Sequence, residues 1–491
     1  MSARQELGRL EASGLIQIAA LQPELEYLFR HALVQEAAYA SLLKQDRRSL
    51  HRAAAEALLA QHPDRQGELA GVLAMHFELA GENARAAEFF ALAGEHALER
   101  FANREAVAFF GRATRLADES QVDVRLRAAL GAAKSTWAFV ATGTEVDDLE
   151  RAVADGDEGE PRLLADAYFW IAYLRRQRGE VQETSPEMKR AMDRALEIGR
   201  TLKDVRGSAL PRALMGAYAA FMGQLREGAN DMRVALDEME GYADPVSSAM
   251  IADFLAMTYA RLGDFEGAEA AVARGSRHAG EGDEISRVDI EIAKSGIDLE
   301  RGNLEAASKR AFACSTRADG LGAYACVVAA NVMFGSATLA MDDASAAKPP
   351  LERGDQLCLV TNMAPLRTLT RGLLASSRAQ LGDLPAGVVG WNDALDSARG
   401  MHDRYGEARV LWARGRSFAR QSPPDWDAAL SDLDEATRLF EQMEARPALA
   451  RALNDRAAAV RALGRAAEAG EVEQRALALG HELGLKDPPF A

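Results

Sequence analysis

The sequence predicts an all-α protein, a superhelical α-solenoid built from pairs of antiparallel helices. From about Ala165 to the C-terminus, a helix-turn-helix pattern recurs about every 40 residues, which is typical of repeat architectures. A small residue lies about seven positions before each turn and another about twelve positions after it, so the two helices of a pair can pack closely. Apolar residues make up 48% of the chain and aromatic residues only 6%, a composition that favours many thin helical layers.

The turns of the array fix its register. Most of them carry a glycine, which adopts the left-handed backbone conformation that tight turns require. Prolines at 186, 349–350 and 423–424 follow three of the turns and predict longer loops, with the second helix of each pair starting late. The eight turn positions are Gly179, Gly223, Gly263, Gly302, Asp342, Gly382, Ser422 and Gly464.

The first 60 residues have a different pattern. Helices are predicted over residues 6–12 and 32–43, and two strands over 15–19 and 26–29. A helix followed by a β-hairpin is the second half of a winged helix. In the second helix, apolar residues spaced for packing are expected in a core, and the basic residues that follow are expected on a solvated helix face. The apolar set is Leu33, Ala37, Tyr39 and Leu42, and the basic set is Lys44, Arg47, Arg48 and Arg52.

Three segments are therefore expected: a partial winged helix with following helices at 1–60, irregular helical repeats at 61–160, and the regular array at 161–491. The acidic stretch 155–161 is the predicted hinge before the regular array.

Composition also limits the function classes. The formal net charge of −16 argues against a nucleic-acid-binding surface. Cys314, Cys326 and Cys358 show no paired spacing, so we expect buried thiols and neither a disulfide framework nor a metal site. The first 14 residues contain no secretory signal, and a cytoplasmic location is expected. Residues 321–341 carry no charge, but their position in the register predicts a buried helix and not a membrane span.

One stretch of the N-terminal segment resembles a known protein family. The run from Leu28 to Leu43, followed by Arg47-Arg48 and Leu50-His51-Arg52, resembles a segment of the bacterial signal-transduction ATPases with numerous domains, especially those fused to class III adenylate or guanylate cyclases. In that family a P-loop ATPase is followed by a winged helix and a long array of tetratricopeptide-like repeats. The resemblance implies that His31 contacts a nucleotide held by an ATPase domain. Here Ala32 replaces the aspartate of the family's Met-His-Asp type motif.

The sequence lacks the catalytic motifs of that family. The string closest to a phosphate-binding loop, at residues 131–136, has no glycine before its lysine and lies in a helical pattern. Paired metal-binding aspartates in a sheet context are also missing. The chain therefore resembles only the non-catalytic, C-terminal part of such a protein, and we expect no enzyme activity, cofactor or metal.

Candidate binding residues follow from the register. In a solenoid, the first helices of the pairs line a concave groove, where peptides and proteins bind. Trp170 is expected to pack between helices. The residues projected onto the groove as partner contacts are Phe169, Tyr173, Arg176, Asp253 and Arg261.

Two functions remain open. The first is a sensor or scaffold module of a signalling ATPase or adenylate cyclase-type regulator, with the ATPase or cyclase domain docking at the N-terminus. The second is a free-standing repeat adaptor that binds protein partners without a nucleotide-dependent domain. A transcription regulator is a weaker alternative, because no helix-turn-helix follows the last repeat.

Overall fold

A computed structural model gives the architecture of the chain. It describes residues 3–20, 26–136, 144–155, 160–179, 186–203, 205–240, 245–280, 282–361 and 363–486. Helices dominate these residues and succeed one another in antiparallel pairs, so the predicted α-solenoid is confirmed. The central part of the predicted hinge, residues 156–159, lies outside the described residues.

The N-terminal segment contains the two strands that the structure describes. These strands form an antiparallel hairpin in which Ile16 is opposite Phe29 and Gln17 is opposite Leu28. The predicted order of helix, hairpin and helix is confirmed, with small shifts at the ends. The elements are α1 (Ala3–Ala12), β1 (Ile16–Ala20), β2 (Glu26–Phe29) and α2 (Ala32–Ser41).

The predicted core in α2 is wrong. Leu33 is 78% exposed and Tyr39 is 40% exposed, while Ala37 is exposed and Leu42 half-buried. In the described part of the chain, no second layer covers this helix, so its apolar residues remain at the surface. The basic cluster does lie on an exposed face, where Arg47 stacks over the ring of Tyr39 at 5.1 Å.

Six helices lead from this segment to the regular array. The first five of them enclose a small core of alanines and phenylalanines that includes Phe77, Phe90 and Phe110, and the buried face of the sixth joins the core of the regular array. Their bounds are α3 (Lys44–Gln61), α4 (Gln66–Ala80), α5 (Asn83–Glu99), α6 (Asn103–Leu116), α7 (Val122–Thr136) and α8 (Glu145–Asp155), with a 3-10 turn at Pro63–Arg65 between α3 and α4.

The regular array consists of eight helix pairs, which follow the predicted register. Seven of the eight turn positions have positive φ, including Asp342 at 63°, and Ser422 instead precedes a cis proline. The first helices are α9 (Pro161–Gln177), α11 (Val205–Phe221), α13 (Pro245–Leu262), α15 (Glu284–Arg301), α17 (Tyr324–Ala340), α19 (Arg367–Gln380), α21 (Arg404–Ala419) and α23 (Arg446–Ala462). The second helices are α10 (Pro186–Leu202), α12 (Leu225–Glu238), α14 (Phe265–His278), α16 (Leu304–Leu321), α18 (Ala344–Val360), α20 (Leu384–Gly400), α22 (Trp426–Gln442) and α24 (Ala466–Glu482).

Small residues allow the close packing that the sequence predicts. Gly216 on α11 faces Gly228 on α12 so closely that a Cβ atom on Gly228 would lie 2.3 Å from the carbonyl oxygen of Gly216. Only glycine can occupy such a position without moving the backbone. The array therefore depends on small residues at the crossing points of its pairs.

The late helix start predicted at Pro349-Pro350 is wrong. These prolines lie inside α18, which begins at Ala344. Asp343 caps this helix by accepting a hydrogen bond from the Ala346 N–H, so the helix is already established before the prolines. The late starts at Pro186 and after Pro424 are confirmed, because α10 begins at Pro186 and α22 begins at Trp426.

Later repeats contact earlier ones across the superhelix. The N–H of Ala364 donates to the carbonyl of Gln177 at 2.8 Å, and the N–H of Lys486 donates to the carbonyl of Arg301 at 2.9 Å. Between these points Arg226 forms an ion pair with Glu444 at 2.5 Å. The coil is therefore wound tightly enough for its successive turns to touch.

Candidate functional site

The tight winding encloses a cavity of about 230 Å³ on the concave side of the array. Its wall is formed mainly by the first helices of five successive pairs, α9, α11, α13, α15 and α17. The segment between α18 and α19 closes the ring, because Ala364 in this segment is hydrogen-bonded to Gln177 at the end of α9. The cavity lies where the register projects the concave groove, and it remains partly open to solvent.

Most of the cavity wall is apolar. The first helices α11, α13 and α17 each turn several apolar side chains towards its centre, as expected for residues spaced three and four positions apart. Flexible methionines contribute to it from three directions, and such side chains adapt to ligands of irregular shape. The apolar lining includes Leu214, Phe254, Met250, Met257, Ile292, Val332, Met333, Met363 and Leu369.

Two of the predicted binding residues lie side by side on α9. Tyr173 is buried and lines the cavity, and its hydroxyl accepts a hydrogen bond of 2.8 Å from the Gln177 amide. Burial raises the pKa of the Tyr173 hydroxyl, so it remains neutral. Arg176 also lines the cavity, with its guanidinium 4.6 Å from the ring centre of Phe221 and 5.5 Å from that of Tyr218. An aromatic wall therefore orients this cation.

Phe169 does not take the position that the register projects. It is 2% exposed and packs edge-on against Trp170, with ring centres 5.6 Å apart, and stacks on Tyr173. Phe169 lies one helical turn before Tyr173 on α9, within the layer between helices. Its contribution to the cavity is to hold the Tyr173 ring in place. Trp170 is buried in the same layer, as expected.

Asp253 lies on α13 and faces the cavity, although it is only 9% exposed. Burial raises its pKa well above the ordinary value, and repulsion from Asp289 raises it further, while Arg261 acts in the opposite direction. Asp289 on α15 lines the same cavity. Burial, together with the charge of Asp283, raises the pKa of Asp289 to about 7. The cavity thus contains two carboxyl groups that share one buried environment.

Arg261, the last predicted binding residue, connects the cavity to a later repeat. Its guanidinium lies 4.2 Å from the ring centre of Tyr405 on α21. It also lines the cavity, two helical turns beyond Asp253 on the same helix. The structure therefore places Tyr173, Arg176, Asp253 and Arg261 around one cavity and leaves Phe169 behind its wall.

Sequence reasoning missed Asp289 and Cys326. The Cys326 thiol on α17 lies 4.0 Å from a carboxylate oxygen of Asp289, and burial raises its pKa. A signal for Asp289 does exist, because it lies on the same helix face as Ile285 and Ile292, four positions before and three positions after it. A charge within an apolar stripe indicates a buried polar site. Cys326 gives no comparable signal, although burial of all three cysteines was expected and is confirmed.

His31 lies at the start of α2, far along the chain from the cavity. It occupies the N-cap position with φ −135°, its side chain makes no capping hydrogen bond, and it is exposed. Its ring is therefore accessible, and its expected contact with a nucleotide remains a prediction.

Two other kinds of site were searched for in the described residues. No group of three metal-ligating side chains was found there. Within the same residues, no helix has the length and apolar character needed to span a bilayer, and residues 321–341 instead contain the buried helix α17.

Comparison with known proteins supports the fold. No protein family model matches the chain. No curated protein matches it either. Among solved structures, a Rap protein complexed with Competence and Sporulation Factor is similar over 74% of this chain and 99% of its own, with 15% identity and a TM-score of 0.54.

Two further solved structures resemble the chain more distantly. The APC/C hetero-tetramer Cut9-Hcn1 aligns over 91% of this chain and 90% of its own, at 14% identity and a TM-score of 0.49. A signal-transduction ATPase with numerous domains and a tetratricopeptide repeat sensor, from Pyrococcus horikoshii, aligns over 98% of this chain and 59% of its own, at 14% identity and a TM-score of 0.34. The fold is that of tetratricopeptide-like helical-repeat proteins.

Proposed function

We propose that the chain is a non-catalytic binding module that holds a short peptide, or the end of a protein partner, in the concave cavity. The observation that carries this proposal is the cavity itself. It is enclosed by five successive first helices, mostly apolar, and has a few polar groups directed into it. Ligand sites in proteins commonly have this composition, because apolar walls supply affinity and a few polar groups fix the ligand's orientation.

The polar groups suit a peptide. Arg176 presents a forked cation that can pair with a carboxylate, and the neighbouring Tyr173 presents an aromatic edge. Carboxyl groups lie on the other helices, at Asp253 and Asp289. A ligand with both signs of charge and an apolar body fits this distribution. A Rap protein, which shares this fold, is known in complex with Competence and Sporulation Factor.

The wider role that we propose is sensing within a signalling ATPase or adenylate cyclase-type regulator. Residues 28–52 carry the resemblance to that family, and the N-terminal helix and hairpin have the order expected for a partial winged helix. This segment exposes Leu28, Leu33, Leu43 and Leu50, each more than half exposed, as a docking surface for an ATPase or cyclase domain would. His31 would then contact the nucleotide that the docked domain holds.

The division into segments 1–60, 61–160 and 161–491 is part of this proposal. The first segment would contact the catalytic domain, and the third would contain the ligand site. A free-standing adaptor without a nucleotide-dependent domain is the alternative. If the coding sequence upstream of Met1 encodes a P-loop ATPase, the role in a signalling ATPase is supported. If it does not, the adaptor role is supported.

Two variants, each with one alanine replaced by phenylalanine, test the binding role. Ala329 lines the cavity from α17, so the variant Ala329→Phe fills part of the cavity. Ala306 on α16 is exposed, and Ala306→Phe is the matched control. A library of short random peptides is passed over the immobilised chain, retained peptides are sequenced, and their affinities are measured by calorimetry.

We expect the Ala329→Phe variant to weaken binding of the retained peptides by about tenfold or more and the control to leave it unchanged, because a ring in the cavity removes contact area. Equal binding by both variants would exclude the cavity as the site. Retention of no peptide at all would exclude the peptide-binding role.

A further inference from the structure

The two carboxyl groups of the cavity make few polar contacts. In the described part of the chain, no side chain or backbone group donates a hydrogen bond to Asp253, and no cation lies within ion-pair distance of it. The recorded polar neighbour of Asp289 is the weak Cys326 thiol donor at 4.0 Å. Both aspartates line the enclosed, mostly apolar cavity, and Asp253 is 9% exposed. Buried carboxyl groups are normally hydrogen-bonded or paired, because removal from water is costly.

The cations of the cavity are engaged elsewhere. Arg261 is eight residues from Asp253 on α13, about 12 Å along the helix axis, and stacks on Tyr405. Arg176 lies against the rings of Phe221 and Tyr218. Both cations lie on aromatic faces, where the ring quadrupole stabilises them. A third arginine of the lining, Arg178, lies 3.8 Å from a carboxylate oxygen of Glu145. Among the described residues, neither aspartate therefore has a cation of the chain at ion-pair distance, and burial favours the protonated form of both while no ligand is bound.

We propose that the ligand of this cavity carries an ammonium group, which binds between Asp253 and Asp289 while its apolar body packs against the methionine-rich wall. This inference rests on the proposed function, since it assigns chemistry to the same cavity. An ammonium group donates three hydrogen bonds and carries the charge that the two carboxylates lack. The amine is either the free amino end of a short apolar peptide or a simple alkylamine.

Binding of this kind depends on pH, because only the ionised carboxylates attract the ammonium group. The titratable and charged groups that surround the aspartates come from five first helices and the residues next to them: Tyr173 and Arg176 on α9, Arg178 just after α9, Tyr218 on α11, Arg261 on α13, Asp283 before α15, and Cys326 on α17. Burial raises the pKa of the Tyr173 hydroxyl and that of the Cys326 thiol, so both groups remain neutral near pH 7. The aspartates are therefore the groups whose ionisation changes, and affinity should increase as the pH rises through 7.

The test uses the full chain and four simple probes. Hexylamine is compared with hexanol, which has the same apolar body without the charge, and leucyl-phenylalanine amide is compared with its N-acetylated form. Affinities are measured by calorimetry at about pH 5.5 and about pH 7.5, below and above the pH at which Asp289 ionises and with the amino groups of the probes still mostly charged. The variants are Asp253→Asn and Asp289→Asn, with the exposed Asp396→Asn on α20 as the control.

We expect each free amine to bind about tenfold more tightly at the higher pH than at the lower, and the neutral probes to show no change. Either cavity variant should remove this preference, and the control should keep it. Tighter binding of the dipeptide amide than of hexylamine would identify a peptide amino end as the source, and the reverse would identify an alkylamine.

The outcomes separate this inference from the proposed function. If hexanol and the acetylated peptide bind as well as the amines, the ammonium assignment is wrong and the cavity remains a ligand site. If the amines bind and the aspartate variants bind them equally, the amine lies elsewhere. If none of the four probes binds, the ammonium assignment is wrong, and the peptide library decides separately whether the cavity binds peptides.

Discussion

The Tyr405 hydroxyl donates a hydrogen bond of 2.8 Å to the carboxylate of Glu300, although 105 residues separate them in the chain. Both side chains are buried, and Arg451 on α23 approaches the same carboxylate at 3.3 Å and the backbone carbonyl of Glu300 at 2.7 Å. These three residues join α15 to α21 and α23. A buried polar network therefore connects two successive turns of the superhelix.

Removal of the Glu300 carboxylate should destabilise the protein strongly. The variant Glu300→Ala leaves the buried Arg451 guanidinium without its carboxylate, and breaking a buried pair in this way costs about 3 to 5 kcal/mol. Tyr405→Phe removes one hydrogen bond to a charged group and should cost about 1.5 to 3 kcal/mol. Urea unfolding gives both values.

The control is Glu441→Ala, which removes an exposed ion pair with Arg475. Exposed pairs contribute about 0 to 1 kcal/mol, so this variant should unfold almost like the wild type. Equal losses for Glu300→Ala and Glu441→Ala would show that the buried network does not hold the superhelical turns together.

Gly263 and Gly464 provide a second test of contact between superhelical turns. Both have the left-handed backbone conformation, with φ of 83° and 81°. A Cβ atom at position 263 would lie 2.7 Å from the Leu483 side chain, whereas one at position 464 would have no neighbour within 4 Å. Gly464→Ala should cost about 1 to 2 kcal/mol through backbone strain alone.

Gly263→Ala should lower the free energy of unfolding more than Gly464→Ala does, because Leu483 must also move. Gly263→Val should lower it further, because its side chain is larger. The difference in the free energy of unfolding between the two alanine variants isolates the contact with Leu483. Identical values would mean that Leu483, which follows α24, does not pack on the turn between α13 and α14.

The sequence predicted the helix pairs because small residues recur at fixed distances from each turn. Gly263, Ala268 and Gly275 show this in a single pair, and each lies where the register expects it. The prolines of α18 were misjudged because a cap at Asp343 starts the helix before them. Contacts such as Tyr405 with Glu300 could not be foreseen, because they depend on the superhelical pitch, which accumulates from small rotations at every repeat.

The shape of the cavity also depends on the superhelical pitch, so the sequence predicts its residues only in part. The register places Tyr173, Arg176, Asp253 and Arg261 on first helices, and these residues do line one space. The ring of elements around this space is completed where Ala364 meets Gln177, and that contact again follows from the pitch. Phe169 was misplaced because the register predicts which face of a helix a residue occupies and not how far along the helix the cavity extends: Phe169 stacks on Tyr173 one turn earlier on the same face, beyond the lining of the cavity.

The contribution of Asp289 to the free energy of unfolding should decrease as the pH rises from about 4 to about 7. The ordinary pKa of an aspartate is about 3.9, whereas burial raises that of Asp289 to about 7 in the folded chain. Across this window the folded state binds more protons than the unfolded state, so raising the pH favours unfolding. Asp253 acts in the same direction.

Unfolding by urea at a series of pH values tests this, with Asp289→Asn as the comparison. The variant removes the titrating group, so the difference in stability between wild type and variant should decrease steadily across the window. A difference that does not change with pH would show that Asp289 ionises normally in the folded chain.

The N-terminal segment should exchange its amide hydrogens faster than the regular array. In this segment Ile16 is buried, but Leu10, Leu15 and Ile18 are each more than one-third exposed, and no described residue of α2 is buried. Apolar burial supplies most of the resistance to local opening, so α1, the hairpin and α2 should open well below the free energy of global unfolding.

Hydrogen exchange followed by mass spectrometry on the full chain measures this directly, with α13 as the internal reference because many of its residues are buried. Exchange in β1 and β2 as slow as that in α13, in a chain shown to be monomeric, would contradict the prediction. If a domain that docks here is supplied, the same peptides should become protected, while exchange in α13 should remain unchanged.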